Sequence, residues 1–337
     1  MAFVTKYGTY FGVVPNQLGR VHFVAPSASY TVDGRAYDSS DDNDGLSPER
    51  ALRTIPQAYT NITASAGEVI FLLEGTHSLT ATLRLQKAGI TIMGVRSPQY
   101  AEGDTPVWAN RPKSVISFLG AAAPGISIEA SNVEIGFVTL IPAPTFSTVI
   151  FRGQTNTAPD GLYLHDFYID FSKGQPSLAT LGVDFGYRAD TAGLTGTSMS
   201  RLAQATAVAT AYISNFCINA GGAYGPGILT ATADVVVSRG RFNNRVGAWA
   251  TAFAVATGTG FVVLDACNFT AVGGSGMGTG VSGATAGIVN GKFFADECRF
   301  TPAVSGRAFA DFTAGVGSIT ECYQGGLAGS GTALVLI

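Results

Sequence analysis

Charge is scarce in this chain: Asp, Glu, Lys and Arg make up 13% of its 337 residues, about half the share of an average soluble domain. The net charge is −3, so no basic footprint is present to meet a phosphate backbone, and nucleic acid is not an expected partner. No apolar run approaches the roughly 18 residues of a membrane-spanning helix, and membrane insertion is not expected. Lys6 is followed by Tyr7, Gly8 and Thr9 rather than an apolar stretch, so synthesis in the cytoplasm without a secretory signal is expected. Cysteine is sparse too. Cys217, Cys267, Cys298 and Cys322 have none of the close spacings of zinc or redox motifs. His22, His77 and His165 are scattered without ligand spacing.

What is present is small and apolar. Gly numbers 43 and Phe 21, and apolar residues reach 46%, which is too apolar for disorder. So little charge suits a folded chain whose surface is partly covered by neighbouring subunits.

The chain also repeats itself. Gly125 to Ile141 and Gly227 to Asn243 share Gly-Ile, a polar bend, Asn or Asp, then apolar residues two, three and two apart. The same alternation recurs in Leu162 to Ile169, Ala211 to Ile218, Val262 to Phe269, Phe293 to Phe300 and Gly317 to Gln324. Ile135, Leu164, Ile213, Val237, Leu264, Ala295 and Ile319 form one column, at intervals of 29, 49, 24, 27, 31 and 24 between those numbers. The interval of 49 suggests a further rung, which Thr180 to Tyr187 would supply. Alternation places every second side chain inside, so a recurring column means strands stacked through successive coils, a parallel β-solenoid. Helical repeats fit worse, because β-branched residues alternate and Gly is frequent. About ten coils at roughly 4.8 Å each make a rod of about 50 Å. Cys267, Cys298 and Cys322 share an interior column with Val138, Phe167, Phe216 and Gly240.

Ahead of the repeat, residues 1–30 read as an extended arm in which Phe3, Tyr7, Tyr10, Phe11 and Phe23 are expected to attach to a partner or to the body. Residues 31–337 read as the solenoid. A polar turn at Asp38 to Gly45 precedes helical pieces within about 47–62, with Ser47 as a cap, Pro48 in the first position and Thr54 to Ile62 amphipathic. Asp42 and Asp44 are the candidate calcium ligands, though Ser40 and Ala51 stand where an EF-hand has its first and last acids. The Asp/Asn-Gly turn, Ser-Pro, the Thr-Ile helix and the strand Gly67 to His77 together resemble the N-terminal cap of pectate-lyase-like proteins. That resemblance covers Asp38 to His77. It implies an all-β, right-handed, single-stranded parallel β-helix with a short helical cap behind the arm.

Members of that group that cut acidic polysaccharides use clustered acids, often with calcium and a basic Arg or Lys, on one long face. Here Asp265 and Asp296 fall in one column a coil apart, near the roughly 5 Å carboxyl separation of retaining glycosidases. His165, Ser214, Ser238 and Thr320 share the column, and Arg239, Arg241, Arg245 and Arg299 could line a basic strip. No phosphate loop or nucleophile elbow is present. Low charge, the aromatic arm and the missing signal together resemble bacteriophage virion β-helices. The expectation is therefore a non-enzymatic structural protein of the virion surface, a homotrimeric head decoration bound to capsid or tail subunits through its arm. The alternative is a tailspike-like polysaccharide hydrolase, lyase or binder directed at host surface glycan.

Overall fold

Each coil turns on a bend of one residue. After the first strand of seven successive levels, Phe137, Asp166, Asn215, Arg239, Ala266, Glu297 and Glu321 adopt a left-handed backbone, with φ between 47° and 53°. Among these only Asp and Asn tolerate that region readily, so the repeat rather than the residue type holds the bend. The bend amide donates to the next level, as from Asp166 N to Ser214 O at 3.1 Å and from Ala266 N to Asp296 O at 3.0 Å. The hydrogen-bond ladder therefore passes round the corner unbroken.

The computed structural model describes residues 19–97, 110–119, 125–142, 148–152, 160–170, 181–184, 210–220, 228–230, 234–244, 249–255, 261–271, 277–283, 293–301, 308–312, 318–324 and 332–334. These residues form a right-handed parallel β-helix with three faces. The first face stacks Val21–Val24, Val69–Leu72, Thr91–Met93, Glu134–Gly136, Leu162–His165, the first halves of Thr210–Ala220 and Asp234–Asn244, then Val262–Asp265, Phe293–Asp296 and Ser318–Thr320. Each pairs in parallel with the next, which gives the ten levels expected. The second face follows each bend, and the third is an 8-stranded parallel sheet.

The column from Ile135 to Ile319 is the observed register. One expectation fails. Leu164 pairs directly with Ile213, while Leu181–Asp184 pairs with Thr148–Arg152 and Ile228–Thr230 on the third face. The 49-residue interval is therefore one long coil. Strands of all three faces alternate alike, so periodicity alone does not say to which face a strand belongs.

Inside, a second column runs Leu140, Ile169, Ile218, Phe242, Phe269, Phe300. Phe242 stacks on Phe269 at 4.7 Å and meets Phe216 edge-on at 5.3 Å. Gly240 belongs to this packing, since a Cβ there would lie 2.3 Å from the Phe216 ring. Cys267, Cys298 and Cys322 stack as expected, and all four cysteines are free and buried. Hydrogen bonds along the thiol stack, together with burial, push the Cys298 and Cys322 thiols upward, which suppresses the reactive thiolate. The native protein is expected to resist a thiol-labelling reagent, and all four cysteines should react once it is unfolded in urea. Rapid labelling of Cys298 or Cys322 in the native state would contradict this.

The solenoid's first end is covered by a 3-10 turn at Pro48–Arg50 and the helix Ile55–Asn61. Ser47 precedes Pro48 but makes no side-chain cap; Thr54 caps the helix by accepting from Gln57 N at 3.2 Å. Ile55 and Ala58 join Val24, Leu52, Ile70 and Leu72 in the core. Of the arm residues, Phe3, Tyr7, Tyr10 and Phe11 lie outside the described residues. Phe23 is a correction: it sits in the first strand, buried, 5.7 Å from Phe71. Val21–Val24 is too short for its alternation to stand out among the surrounding Gly and Pro. At the far end, Thr332–Leu334 folds back antiparallel on Cys322–Gln324 and covers an edge open to pairing.

Candidate functional site

Two outward columns run side by side along the first face. One reads Thr91, Glu134, Tyr163, Tyr212, Val236, Val263, Phe294; the other reads Met93, Gly136, His165, Ser214, Ser238, Asp265, Asp296, Thr320. At the capped end the second column begins with Phe23, Phe71 and Met93, which pack with Tyr30 and Val32 of the hairpin Ser29–Val32 and Arg35–Asp38. Farther along the face opens. Tyr163 is 41% exposed, Tyr212 54% and Phe294 38%, with Val236 and Val263 between Tyr212 and Phe294, and Phe261, 47% exposed, stands just ahead of the strand Val262–Asp265. Phe261 and Phe294 stack at 6.5 Å.

Asp265 and Asp296 are register partners on adjacent levels, both exposed, so the sequence-predicted pair is brought together. One strand spacing, about 4.8 Å, separates their backbones. Thr320 Oγ1 donates to Asp296 Oδ1 at 2.7 Å. Ser214 and Ser238 continue the polar column toward His165.

His165 anchors the column's covered end in an ion cluster that the sequence reading missed. Its Nδ1 lies 2.6 Å from Asp166 Oδ2 and its Nε2 3.0 Å from Glu134 Oε1, while Thr91 Oγ1 donates to Glu134 Oε2 at 3.0 Å. Tyr163 stacks on the imidazole at 4.4 Å and Phe137 meets it edge-on at 5.4 Å. Gly136 leaves the room, since a Cβ there would lie 2.4 Å from the ring. Burial alone would lower the imidazole's pKa, but hydrogen bonds to Asp166 and Glu134 outweigh it and raise the pKa to about 9. The ring is thus a held cation with both nitrogens committed to carboxylates. It is not a base for Ser214, whose Oγ lies 3.4 Å from the Tyr163 hydroxyl instead. The His-Asp dipeptide was visible in the sequence; Glu134, 31 residues earlier, is joined to it only by the register.

The acidic turn serves the cap. Asp41 accepts from Arg53 N, Thr54 N and Thr54 Oγ1, and Asp44 accepts from Leu46 N and pairs with Arg50 at 3.3 Å. Asp42 receives the Ser40 hydroxyl at 3.4 Å. Among the described residues, neither this turn nor any other cluster assembles three His, Cys, Asp or Glu side chains that could hold a metal ion. Arg84 forks onto the buried Glu129 on the third face at 2.7 and 2.8 Å. Arg239 lies at a bend, Arg241 and Arg299 lie on the second face, and Arg245 lies outside the described residues, so among the described residues these arginines form no continuous strip on the first face.

Register, bends and cap define a right-handed parallel β-helix. In particular, the fold is similar to that of pectin methylesterase PemA from Erwinia chrysanthemi, with TM-score 0.53 and 12% identity over 92% of this chain and 90% of that one. A pectin methylesterase in complex with hexasaccharide VII aligns with TM-score 0.53 and 11% identity, over 92% of this chain and 90% of that one. The pectin methylesterase from Aspergillus niger aligns over 94% of this chain and 87% of that one, with TM-score 0.47 and 14% identity. At such identities the likeness is one of fold. No protein-family model matches the chain, and no curated protein matches its sequence.

Proposed function

We propose that the open first face receives a polysaccharide chain, and that Asp265 and Asp296 act on its glycosidic linkage. The observation that carries this reading is the juxtaposition of an exposed aromatic row with a hydroxyl and carboxylate column that contains two carboxylates one level apart. Rings such as Tyr212 and Phe294 can cover the C–H faces of sugar units, and the polar column can meet their hydroxyls. The fold likeness to PemA supports a carbohydrate ligand.

In the proposed reaction Asp265 protonates the departing glycosidic oxygen while the Asp296 carboxylate, held by Thr320, attacks the anomeric carbon. Water, deprotonated by Asp265, then releases the sugar and regenerates both acids. Release of reducing ends from a panel of polysaccharides tests this, and Asp296→Asn is expected to lower the rate at least about 100-fold. Equal rates in wild type and variant would refute the assignment.

A second reading keeps the structural role in the virion. Tyr163, Tyr212, Phe261 and Phe294 also suit lateral contact between copies of the chain, as in a trimeric decoration attached through its N-terminal arm. The two fold neighbours that align with TM-score 0.53 are pectin methylesterases rather than virion proteins, so this reading stands second. A concentration-independent trimer in sedimentation that buries these rings would favour it.

A further inference from the structure

Resting on the glycan reading, we infer that the polysaccharide is uncharged, in contrast to a polyuronate. Among the described residues, along the open levels of the first face and its bends stand Asp234, Asp265, Asp296, Glu297 and Glu321, against one guanidinium, Arg239. With Asp265 carrying the proton it donates in catalysis, four carboxylates less one cation still leave the described part of this stretch negative. Nearer the cap, His165 is outnumbered by its own two carboxylates and offers no positive charge to a ligand. A polyuronate laid here would place its carboxylates against Asp265 and Asp296. That contact requires either basic side chains between them or a bridging cation. No Arg or Lys shares the column of Asp265 and Asp296, Arg241 and Arg299 follow the bend on the second face, and no cluster of three metal-ligating side chains is assembled among the described residues.

Neutral sugars need neither. Their hydroxyls donate to carboxylates in charge-assisted hydrogen bonds, and their C–H faces lie on Tyr212 and Phe294. The charge of the face thus acts as a filter against acidic chains.

Affinity electrophoresis of the full chain through gels containing galactomannan, dextran or amylose, and separately polygalacturonate or alginate, tests the inference at low salt with EDTA or with calcium. Retention by at least one neutral polymer and by neither acidic one, with or without calcium, is expected. Tyr212→Ala with Phe294→Ala should weaken neutral retention about tenfold or more, with an unchanged circular dichroism spectrum. Asp265→Asn with Asp296→Asn should let polygalacturonate be retained at low salt, where the lost repulsion is least screened. Retention of the wild type by an acidic polymer would overturn the inference while leaving the glycan reading intact. Retention by neither class would overturn both. Neutral retention unmoved by the aromatic pair would overturn the placement on the first face.

Discussion

Replacing Phe242 by alanine is expected to destabilise the solenoid by about 4 kcal/mol, within the usual range for a buried phenylalanine. The side chain is fully buried, pressed between Phe269 of the next level and Phe216 of the preceding one. Collapse cannot refill the gap, because Ile218 and Phe269 are fixed above and below it by the parallel register. A lower urea midpoint by circular dichroism, with an unchanged native spectrum, checks it. A loss below about 1 kcal/mol would mean that the stack is looser than drawn. Each level packs only on its neighbours, so a second, shallower transition would be consistent with local rather than global opening.

His165→Ala is expected to cost about 3 kcal/mol or more near pH 6, because it strands the largely buried Glu134 and Asp166 without their cation. The pH dependence is the sharper readout. The imidazole titrates at about 9 when folded against about 6.5 in an unfolded chain. Its stabilisation is therefore complete below pH 6.5 and is lost as the pH rises from 6.5 through about 9. The stability gap between wild type and His165→Ala should narrow across that window. A gap constant from pH 6 to pH 10 would show that the imidazole is not held as a cation. His77 tilts the other way: burial lowers its pKa to about 4, against the opposing pull of its hydrogen bond to Leu73 O at 2.8 Å, so its contribution is lost as the pH falls below 6.5. The Asn variant at 165 separates charge from shape, since it keeps a polar side chain but not the cation.

The interior was legible because β-branched and aromatic residues alternate on every level, and the column from Ile135 to Ile319 could be read without structure. Faces were not legible. Leu181–Asp184 has the alternation of a first-face strand and lies on the third, because which face a strand joins depends on coil length and bend position. The bend itself hid behind residues such as Phe137, Ala266 and Glu297, which carry no signature of a left-handed backbone. Asp265 and Asp296 were found because they share a column; the aromatic row beside them was missed because Tyr163, Tyr212 and Phe294 look like core residues until the alternation is assigned inside and out. The cation at His165 was invisible for a different reason. Its two carboxylates come from different levels, and only the register brings Glu134 beneath the ring.

The central claim is that the first face is where a sugar chain lies. A crystal structure of the full chain soaked with a neutral oligosaccharide that the gels identify as retained tests it directly. The account predicts sugar rings against Tyr212 and Phe294, with hydroxyls within hydrogen-bond reach of Asp265 and Asp296. An oligosaccharide seated on the second or third face, with the first-face aromatics buried against another copy of the chain, would contradict it.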